Sequence, residues 1–333
     1  MRRSFRLASS ALLTLSACSA AGAIVSTPVA VADVQLVLLG TAGGPQLRKD
    51  RSQPANLIVA GGKPYIFDCG EGCASQLLKA GFNPAEVEQA FLTHLHMDHS
   101  AGIGALAAFR WTGGASKKLT VFGPPGTGDL VDAALRYFSI PGSVHAREVA
   151  SLREFLTLVA GQDISKSDGK IFGLFKDENI RVSAVENSHF DHLAGVDIGF
   201  GPLRSFSYRI DSEARSVVIT GDTGPSEALR ELASGADILV AEVMDVDGVV
   251  AAFRARGDIP EAQLPAIEAQ MRAKHLTPQD VSNLAKSAGV GMVVLTHFAG
   301  AGSGAESVDR MVTAVRASFN GEVLAGVDLQ VLR

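Results

Sequence analysis

Three histidines and an aspartate stand together in the segment Thr93–His99, which reads THLHMDH. The largely apolar run Val87–Leu92 precedes it, and such a run followed by polar residues predicts a buried strand that opens into a loop. In an α/β fold, ligands and catalytic groups gather at strand ends of this kind. Because the segment holds three of the eight histidines in the chain, we interpret it as a metal site rather than a polar loop.

The spacing of these residues indicates two metal ions. His94 and His96 are two positions apart, so a backbone that is still extended points both imidazoles to the same side. Asp98 and His99 then turn away from that pair and can hold a second ion. Imidazoles and carboxylates without a thiolate suit Zn²⁺, with Mn²⁺ or Fe²⁺ as alternatives.

A second histidine pair follows the predicted strand Ile180–Val185. Either His189 or His192 can complete a set of three imidazoles with His94 and His96. We favour His189, because it lies nearer the end of the strand, where the backbone holds a ligand more rigidly.

Further candidate ligands follow later strands. Asp222 lies between two glycines after the strand Ser216–Thr220 and can bridge two ions, although it can also cap the next helix. His297 follows the strand Met292–Leu295. Asp68 follows an earlier strand, and we expect its carboxylate to orient a ligand imidazole, with a helix cap as the alternative.

Composition and pattern predict an α/β enzyme. The chain has 333 residues, of which 47% are hydrophobic and 20% charged, enough for one large α/β domain or two small ones. Short apolar strands alternate with helices such as Asp129–Tyr137. The region 140–178 gives no clear pattern, and we expect it to shape access to the substrate.

The first 32 residues predict an export signal. Arg2, Arg3 and Arg6 form a positive start, Leu7–Ala23 is apolar and small, and Ala30–Ala32 is an A-x-A-like cleavage site. No later run is long enough to predict a membrane span. We therefore expect a periplasmic or secreted protein whose mature domain comprises residues 33–333.

Two details of the signal leave the export route open. The start Arg2–Phe5 resembles a twin-arginine signal, which exports folded proteins. The segment Leu15–Cys18 resembles a lipoprotein box, in which Cys18 is lipidated. We favour cleavage after Ala32 over lipidation.

The mature chain is acidic. Without the three signal arginines it has 27 Lys and Arg against 35 Asp and Glu, a net charge of −8. Nucleic-acid binding requires clustered basic residues, so we expect no nucleic-acid partner. Cys69 and Cys73 can pair in an oxidising compartment, but their spacing also fits a helix start, and we expect them to be reduced. A homodimer is left open.

The order of the motifs resembles the metallo-β-lactamase superfamily. His-x-His-x-Asp-His at 94–99 is its most specific motif. Leu39–Thr41, Asp68–Gly72 and His275-x-Thr277 resemble the ribonuclease Z and arylsulfatase-like branch. The resemblance covers residues 34–333 and implies a four-layer αβ/βα sandwich with a dinuclear site at one edge of two facing sheets.

The resemblance also implies roles for the candidate residues. It places His94, His96 and His189 around one zinc and Asp98, His99 and His297 around the other, with Asp222 between the two. It pairs Glu242 with His275 near the leaving group. Asp98 and Asp222 would orient the attacking water, and His275 would act as general acid.

These roles predict an exported dinuclear-zinc hydrolase that cleaves an ester-type bond: a sulfate ester, a phosphodiester, or a carboxylic ester or lactone. A secreted zinc β-lactamase and a ribonuclease Z-like nuclease are the alternatives within the superfamily. A metal-binding scaffold without activity is the alternative outside enzymes. No arm that would clamp transfer RNA is visible between His99 and His189.

Overall fold

The computed structural model describes residues 34–149, 155–166, 168–257, 259–300 and 305–333. The predicted export signal, with Cys18 and the cleavage site at Ala32, lies outside these ranges, and it stays a prediction. Among the described helices, none combines the length and apolar character needed to cross a bilayer.

The described residues form fourteen strands. They are β1 (Gln35–Gly40), β2 (Ala55–Ala60), β3 (Lys63–Phe67), β4 (Gln89–Phe91), β5 (Leu119–Gly123), β6 (Val159–Asp163), β7 (Phe172–Lys176), β8 (Arg181–Glu186), β9 (Phe206–Asp211), β10 (Ser216–Ile219), β11 (Ile238–Met244), β12 (Met292–Ala299), β13 (Glu322–Ala325) and β14 (Gln330–Leu332). The first sheet has the order β14-β1-β2-β3-β4-β5-β6 and the second the order β13-β12-β11-β10-β9-β8-β7. Each sheet joins antiparallel strands on one side to four parallel strands on the other, β3 to β6 and β10 to β13.

Nine α-helices lie among the described residues. They are α1 (Cys73–Lys79), α2 (Met97–Ser100), α3 (Ile103–Thr112), α4 (Thr127–Glu148), α5 (Glu227–Leu232), α6 (Val246–Arg256), α7 (Leu264–Lys274), α8 (Pro278–Ala288) and α9 (Ala305–Arg316). Helices α1, α3 and α4 pack on the outer face of the first sheet. Helices α5, α8 and α9 pack on the outer face of the second.

The alternation of side chains along the strands produces the layers. In β1, Leu36 and Leu38 point into the core between the two sheets, whereas Val37 and Leu39 point to the helices outside. Both faces of the strand are therefore buried, as is typical of a sheet covered on two sides. The result is the predicted four-layer αβ/βα sandwich, which is confirmed.

Two elements are longer than the sequence predicts. Helix α4 does not end at Tyr137 but continues through Pro141 to Glu148, although proline lacks the N–H that an interior helix position donates. Strand β12 continues past Leu295 to Ala299. It contains His297, so this candidate ligand lies within a strand rather than after one.

Candidate metal centre

The first group of candidate ligands gathers where β4 and β8 end. His94 Nε2 lies 2.9 Å from His96 Nδ1, and His189 Nε2 lies 3.4 Å from the same His96 atom. His189 Nδ1 lies 2.9 Å from the carbonyl oxygen of Lys274. Donation to that carbonyl leaves Nε2 as the free, lone-pair nitrogen that a metal requires. His94 and His189 are buried and His96 is exposed, so the group opens to solvent on the side of His96.

The second group lies beside the first and contains Asp98, His99 and His297. The Oδ2 atom of Asp98 lies 3.4 Å from His99 Nε2 and 3.3 Å from His297 Nε2. Asp68 Oδ2 lies 2.9 Å from His99 Nδ1, and its Oδ1 accepts the backbone N–H of Thr93 at 2.7 Å. Asp68 therefore orients a candidate ligand, as predicted. It does not cap α1, because the N-cap of that helix is Gly72.

Asp222 lies between the two groups. Its Oδ1 is 3.3 Å from His99 Nε2 and 3.2 Å from His297 Nε2, and its Oδ2 is 4.0 Å from His94 Nε2. The preceding residue, Gly221, has a φ of 58°, and this left-handed backbone turns the carboxylate into the centre. Helix α5 is capped by Ser226, so the alternative in which Asp222 caps that helix is wrong.

A β-bulge positions His297. In the pairing of β11 with β12, Glu242 lies opposite Thr296 and Val243 lies opposite Phe298, so His297 is the extra residue. Its φ is 48°, which is unusual for a residue other than glycine. A bulge turns a side chain away from the regular alternation of the strand, and here it brings the imidazole to Asp98 and Asp222.

The donor atoms fit a pair of divalent cations. His94, His96, His189 and Asp222 place one donor atom each within 4.8 Å of one another, as do Asp98, His99 and His297. His99 Nε2 and Asp222 Oδ1 are buried and make no hydrogen bond within the described part of the chain. Buried polar atoms without such bonds are rare, and imidazole and carboxylate donors are those that zinc and similar ions bind.

Protonation differs between the two groups. Burial lowers the pKa of His189 to about 3, and it holds the pKa of His94 well below its ordinary value. Both imidazoles are therefore neutral at pH 7, which is the form that binds metal. Burial also lowers the pKa of His99, but the carboxylates of Asp222 and Asp68 outweigh it and leave that pKa well above the ordinary value. The carboxylates around His99 therefore stabilise positive charge, which protons or a metal ion can supply.

Glu242 and His275 form a pair beside this centre. Both carboxylate oxygens of Glu242 lie 3.2 Å from His275 Nδ1, and His275 Nδ1 lies 3.9 Å from Asp222 Oδ2. Glu242 is buried, and its Oε1 accepts the backbone N–H groups of Thr223 and Leu276. Burial lowers the pKa of His275, but the carboxylate of Glu242 outweighs it and leaves the pKa raised. The pair can therefore hold a proton next to the candidate ligands.

The structure brings together all nine site residues that the sequence predicted: His94, His96, Asp98, His99, His189, Asp222, His297, Glu242 and His275. His192 is exposed and belongs to none of these groups. The geometry therefore favours His189 over His192.

Two neighbours of the centre were not predicted. The Phe190 ring lies with its centroid 5.8, 5.3 and 4.6 Å from those of His94, His96 and His189. At Gly44, an added Cβ would lie 2.0 Å from Asp98 Oδ2, so only glycine fits there. The glycine-rich turn 40–45 was the available signal for Gly44, but such turns are common and the signal is weak alone.

The expectation that Cys69 and Cys73 are reduced is wrong. The two residues form a disulfide, and their Cα atoms are 5.3 Å apart, within the usual range. The spacing indicated a helix start, and α1 does begin at Cys73. Cys69 lies outside the helix, however, and Gly72 with a φ of 88° lets the turn bring it back to Cys73.

Comparison with known proteins identifies the family. Residues 64–298, most of the chain, match the family model described as beta-lactamase superfamily domain. This chain belongs to the metallo-β-lactamase superfamily. It is a metal-dependent hydrolase, as the sequence predicted, and a scaffold without activity is not supported.

The relatives of this superfamily member include several enzymes called ribonuclease Z. One, from Mycobacterium bovis (strain BCG / Pasteur 1173P2), is 30% identical over 311 residues, covering 89% of this chain and 96% of the relative. Another, from Mycobacterium avium (strain 104), is 31% identical over 307 residues with the same coverage of 89% and 96%. The resemblance to the ribonuclease Z branch is therefore confirmed.

Solved structures show the same fold. The short form of human tRNase Z superposes with a TM-score of 0.62 at 21% identity, covering 90% of this chain and 98% of that one. The metallo-β-lactamase fold protein YhfI from Bacillus subtilis gives a TM-score of 0.61 at 21% identity, with coverage of 90% and 98%. At this identity the likeness concerns the fold alone.

Proposed function

We propose that the protein is a zinc-dependent phosphodiesterase in which His275 gives a proton to the departing oxygen. The observation that carries this proposal is the Glu242–His275 pair, with 3.2 Å between the carboxylate oxygens and Nδ1. A phosphodiester has an alkoxide or phenoxide leaving group, and a proton donor lowers the barrier to its departure. The pair adjoins Asp222, so the donor lies beside the candidate metal ligands.

Two zinc ions bound here would acidify water and polarise a phosphoryl oxygen. The residues of the chain supply the remaining steps. Asp98 and Asp222 orient the attacking water, one of the two carboxylates takes the single proton that the water releases, and the new bond forms between the water oxygen and phosphorus. As the phosphorus–oxygen bond to the leaving group breaks, that oxygen takes the proton of His275, whose charged form Glu242 stabilises.

The relatives favour a phosphodiester bond among the ester types that the sequence left open. Those reported above are named ribonuclease Z, so they support the ribonuclease Z-like alternative better than a sulfate esterase or lactonase. Cleavage of RNA by this chain is therefore the second candidate. Against it stands the acidic mature sequence, because binding to a polyanion depends on clustered lysine and arginine.

One substrate panel tests the bond. Zinc-loaded protein is assayed on bis(p-nitrophenyl) phosphate, an aryl sulfate, a lactone, a β-lactam and a transfer-RNA precursor. We expect the highest kcat/KM on the phosphodiester. A higher value on the sulfate, lactone or β-lactam contradicts the proposal, and a higher value on the RNA precursor selects the second candidate.

A series of leaving groups tests His275. General acid catalysis contributes about 10²–10⁴ in rate, so His275→Ala should lose about that factor on alkyl phosphodiesters and far less on nitrophenyl ones, whose oxyanion leaves unaided. His192→Ala is the matched control, because His192 lies outside all the ligand groups. A loss of equal size across the series would show that His275 positions the substrate without delivering a proton.

We also propose that the protein acts outside the cytoplasm. The signal-like residues 1–32 support export, and so does the Cys69–Cys73 disulfide, because disulfides persist mainly in oxidising compartments. Mass spectrometry of the native protein should find a chain that begins at Asp33. An intact Met1, or a lipid on Cys18, would contradict cleavage after Ala32.

A further inference from the structure

Exposed apolar side chains lie at the start of α2, directly after His96, and in the loop that follows His189. Met97 lies between His96 and Asp98 and is 73% exposed. Ile198 and Phe200 lie in the loop that follows His189 and are 50% and 56% exposed. We call Met97, Ile198 and Phe200 the apolar rim. Exposed apolar groups in a cluster mark a binding surface more often than chance.

The loop that carries Ile198 and Phe200 packs against the start of α4. An isolated β-bridge between Asp197 and Pro202 closes its tip. A Cβ added at Gly126 would lie 3.1 Å from Phe200 Cβ and 3.2 Å from Leu95 Cδ1. Phe200 and Leu95 thus both lie close to Gly126. Leu95 immediately precedes His96, so Phe200 packs beside the segment that carries the one exposed candidate ligand of the first group.

The segments that carry the apolar rim and its contacts contain few charged side chains. They are 95–103, 123–130 and 193–202, which meet near Gly126. Together they contain no lysine or arginine, and each contains one aspartate. Binding to RNA depends on basic side chains that displace counterions. These segments offer apolar contact and negative charge instead.

We propose that the apolar rim binds an aryl or alkyl substituent of the substrate, and that it selects small apolar phosphodiesters over polynucleotides. This inference rests on the proposed function for the nature of the bond and adds the class of substrate. Differences of one or a few carbon atoms in an apolar pocket change kcat/KM by about 10-fold to 200-fold. A rim open to solvent is expected to lie at the lower end of that range.

Two substrates with one leaving group test the rim. Phenyl p-nitrophenyl phosphate and methyl p-nitrophenyl phosphate release the same phenolate, so their kcat/KM ratio reports the contact with the second substituent. We expect the wild type to prefer the phenyl ester by about tenfold or more, and Phe200→Ala and Met97→Ala to lose most of this preference. Phe109→Ala is the matched control. Phe109 is as exposed as Phe200, at 56%, but it is not part of the rim. It lies in α3, about 9 Å along the helix axis from Ile103, where the segment that carries Met97 ends.

If the phenyl-to-methyl ratio of kcat/KM in Phe200→Ala equals that of the wild type, the proposed role of the apolar rim is wrong. It is also wrong if a transfer-RNA precursor is cleaved faster than the phenyl ester, or if sedimentation shows a dimer that Phe200→Ala dissociates, because a second copy would then cover this surface. If no phosphodiester is turned over, the proposed function fails, and calorimetry with diphenyl and dimethyl phosphate still decides the rim. Tighter binding of diphenyl phosphate that Phe200→Ala removes supports it, and equal binding of the two overturns it.

Discussion

Replacing Asp68 with asparagine should weaken the binding of one metal ion much more than that of the other. Asp68 is 2% exposed, and its carboxylate lies 2.9 Å from His99 Nδ1. Asparagine keeps the shape but removes the negative charge that favours an N–H at Nδ1. Without this charge, the His99 tautomer that carries its N–H at Nδ1 and its lone pair at Nε2 is no longer favoured over the other tautomer. Nε2 is the nitrogen that lies near Asp98 and Asp222.

The expected magnitude follows from the outer partner of a ligand histidine. Loss of such a partner typically costs 10-fold to 100-fold in metal affinity, which is about 1.4–2.8 kcal/mol. A buried hydrogen bond to a charged group contributes about 1.5–3 kcal/mol, so the two magnitudes agree. The candidate ligands His94, His96 and His189 meet Asp68 only indirectly, because the Thr93 hydroxyl donates to Asp68 and lies 3.1 Å from His94 Nδ1. The Kd of the ion at this group should therefore change less, by under about threefold.

Competition with a chromophoric chelator measures both dissociation constants. Asp328→Asn is the matched control, since Asp328 also accepts hydrogen bonds from Thr41, Ser52 and Gln76 but belongs to no ligand group. It should lower the Tm of the chelator-treated protein and leave both Kd values unchanged. Equal Kd values for wild type and Asp68→Asn would refute the role of Asp68 in orienting His99. An equal loss for both ions would show that the variant disturbs the whole centre.

Two further changes test the centre and its surroundings. Metal analysis should find two divalent ions per chain. Asp222→Ala should lower that number and abolish turnover, because Asp222 lies within 4.0 Å of imidazoles from both groups. Asp132→Ala, at an exposed position, is the control, and full metal content in Asp222→Ala would contradict the bridging role. Reduction of the Cys69–Cys73 disulfide should lower the free energy of unfolding by about 2 kcal/mol, as loop entropy predicts for so short a loop. Urea unfolding with and without reductant measures it, the Cys69→Ser/Cys73→Ser variant should lose the difference, and an unchanged midpoint in the wild type would be contrary to expectation.

The sequence predicted the candidate ligands because each lies in a short local pattern. The motif at 94–99 needs only one loop, and His189 and Asp222 follow strands that their apolar residues reveal. His297 was found although the strand around it was predicted too short, because the polar residue stood out after an apolar run. In contrast, the pairing of Glu242 with His275 spans 33 positions in the sequence. No local pattern contains that pair, so only the family resemblance suggested it.

The features that were missed depend on how distant segments pack. The Cys69–Cys73 disulfide required knowledge of where α1 begins, and helix boundaries are the least certain part of a prediction from sequence. The contact of Phe200 with Gly126 joins two loops that are 74 positions apart. Exposed apolar residues in loops carry no periodic signal, so the region after His189 gave only its histidines.

The two halves of the proposal therefore rest on different residues, although Met97 of the rim lies between the candidate ligands His96 and Asp98. Most of the candidate ligands and Glu242 lie in or after buried strands, while Asp98 and His99 lie in α2 and His275 at the end of α7. Together they determine which bond can be attacked and how its leaving group departs. The rim lies in a loop, at Ile198 and Phe200, and at the exposed start of α2, at Met97. Exposed side chains of this kind can change without cost to the core, and the rim determines which molecules reach that bond. A relative with 30% identity can share the first and differ in the second. For this reason the leaving-group series with His275→Ala and the substituent series with Phe200→Ala should separate: the first variant should alter dependence on the leaving group at a constant substituent, and the second should alter dependence on the substituent at a constant leaving group.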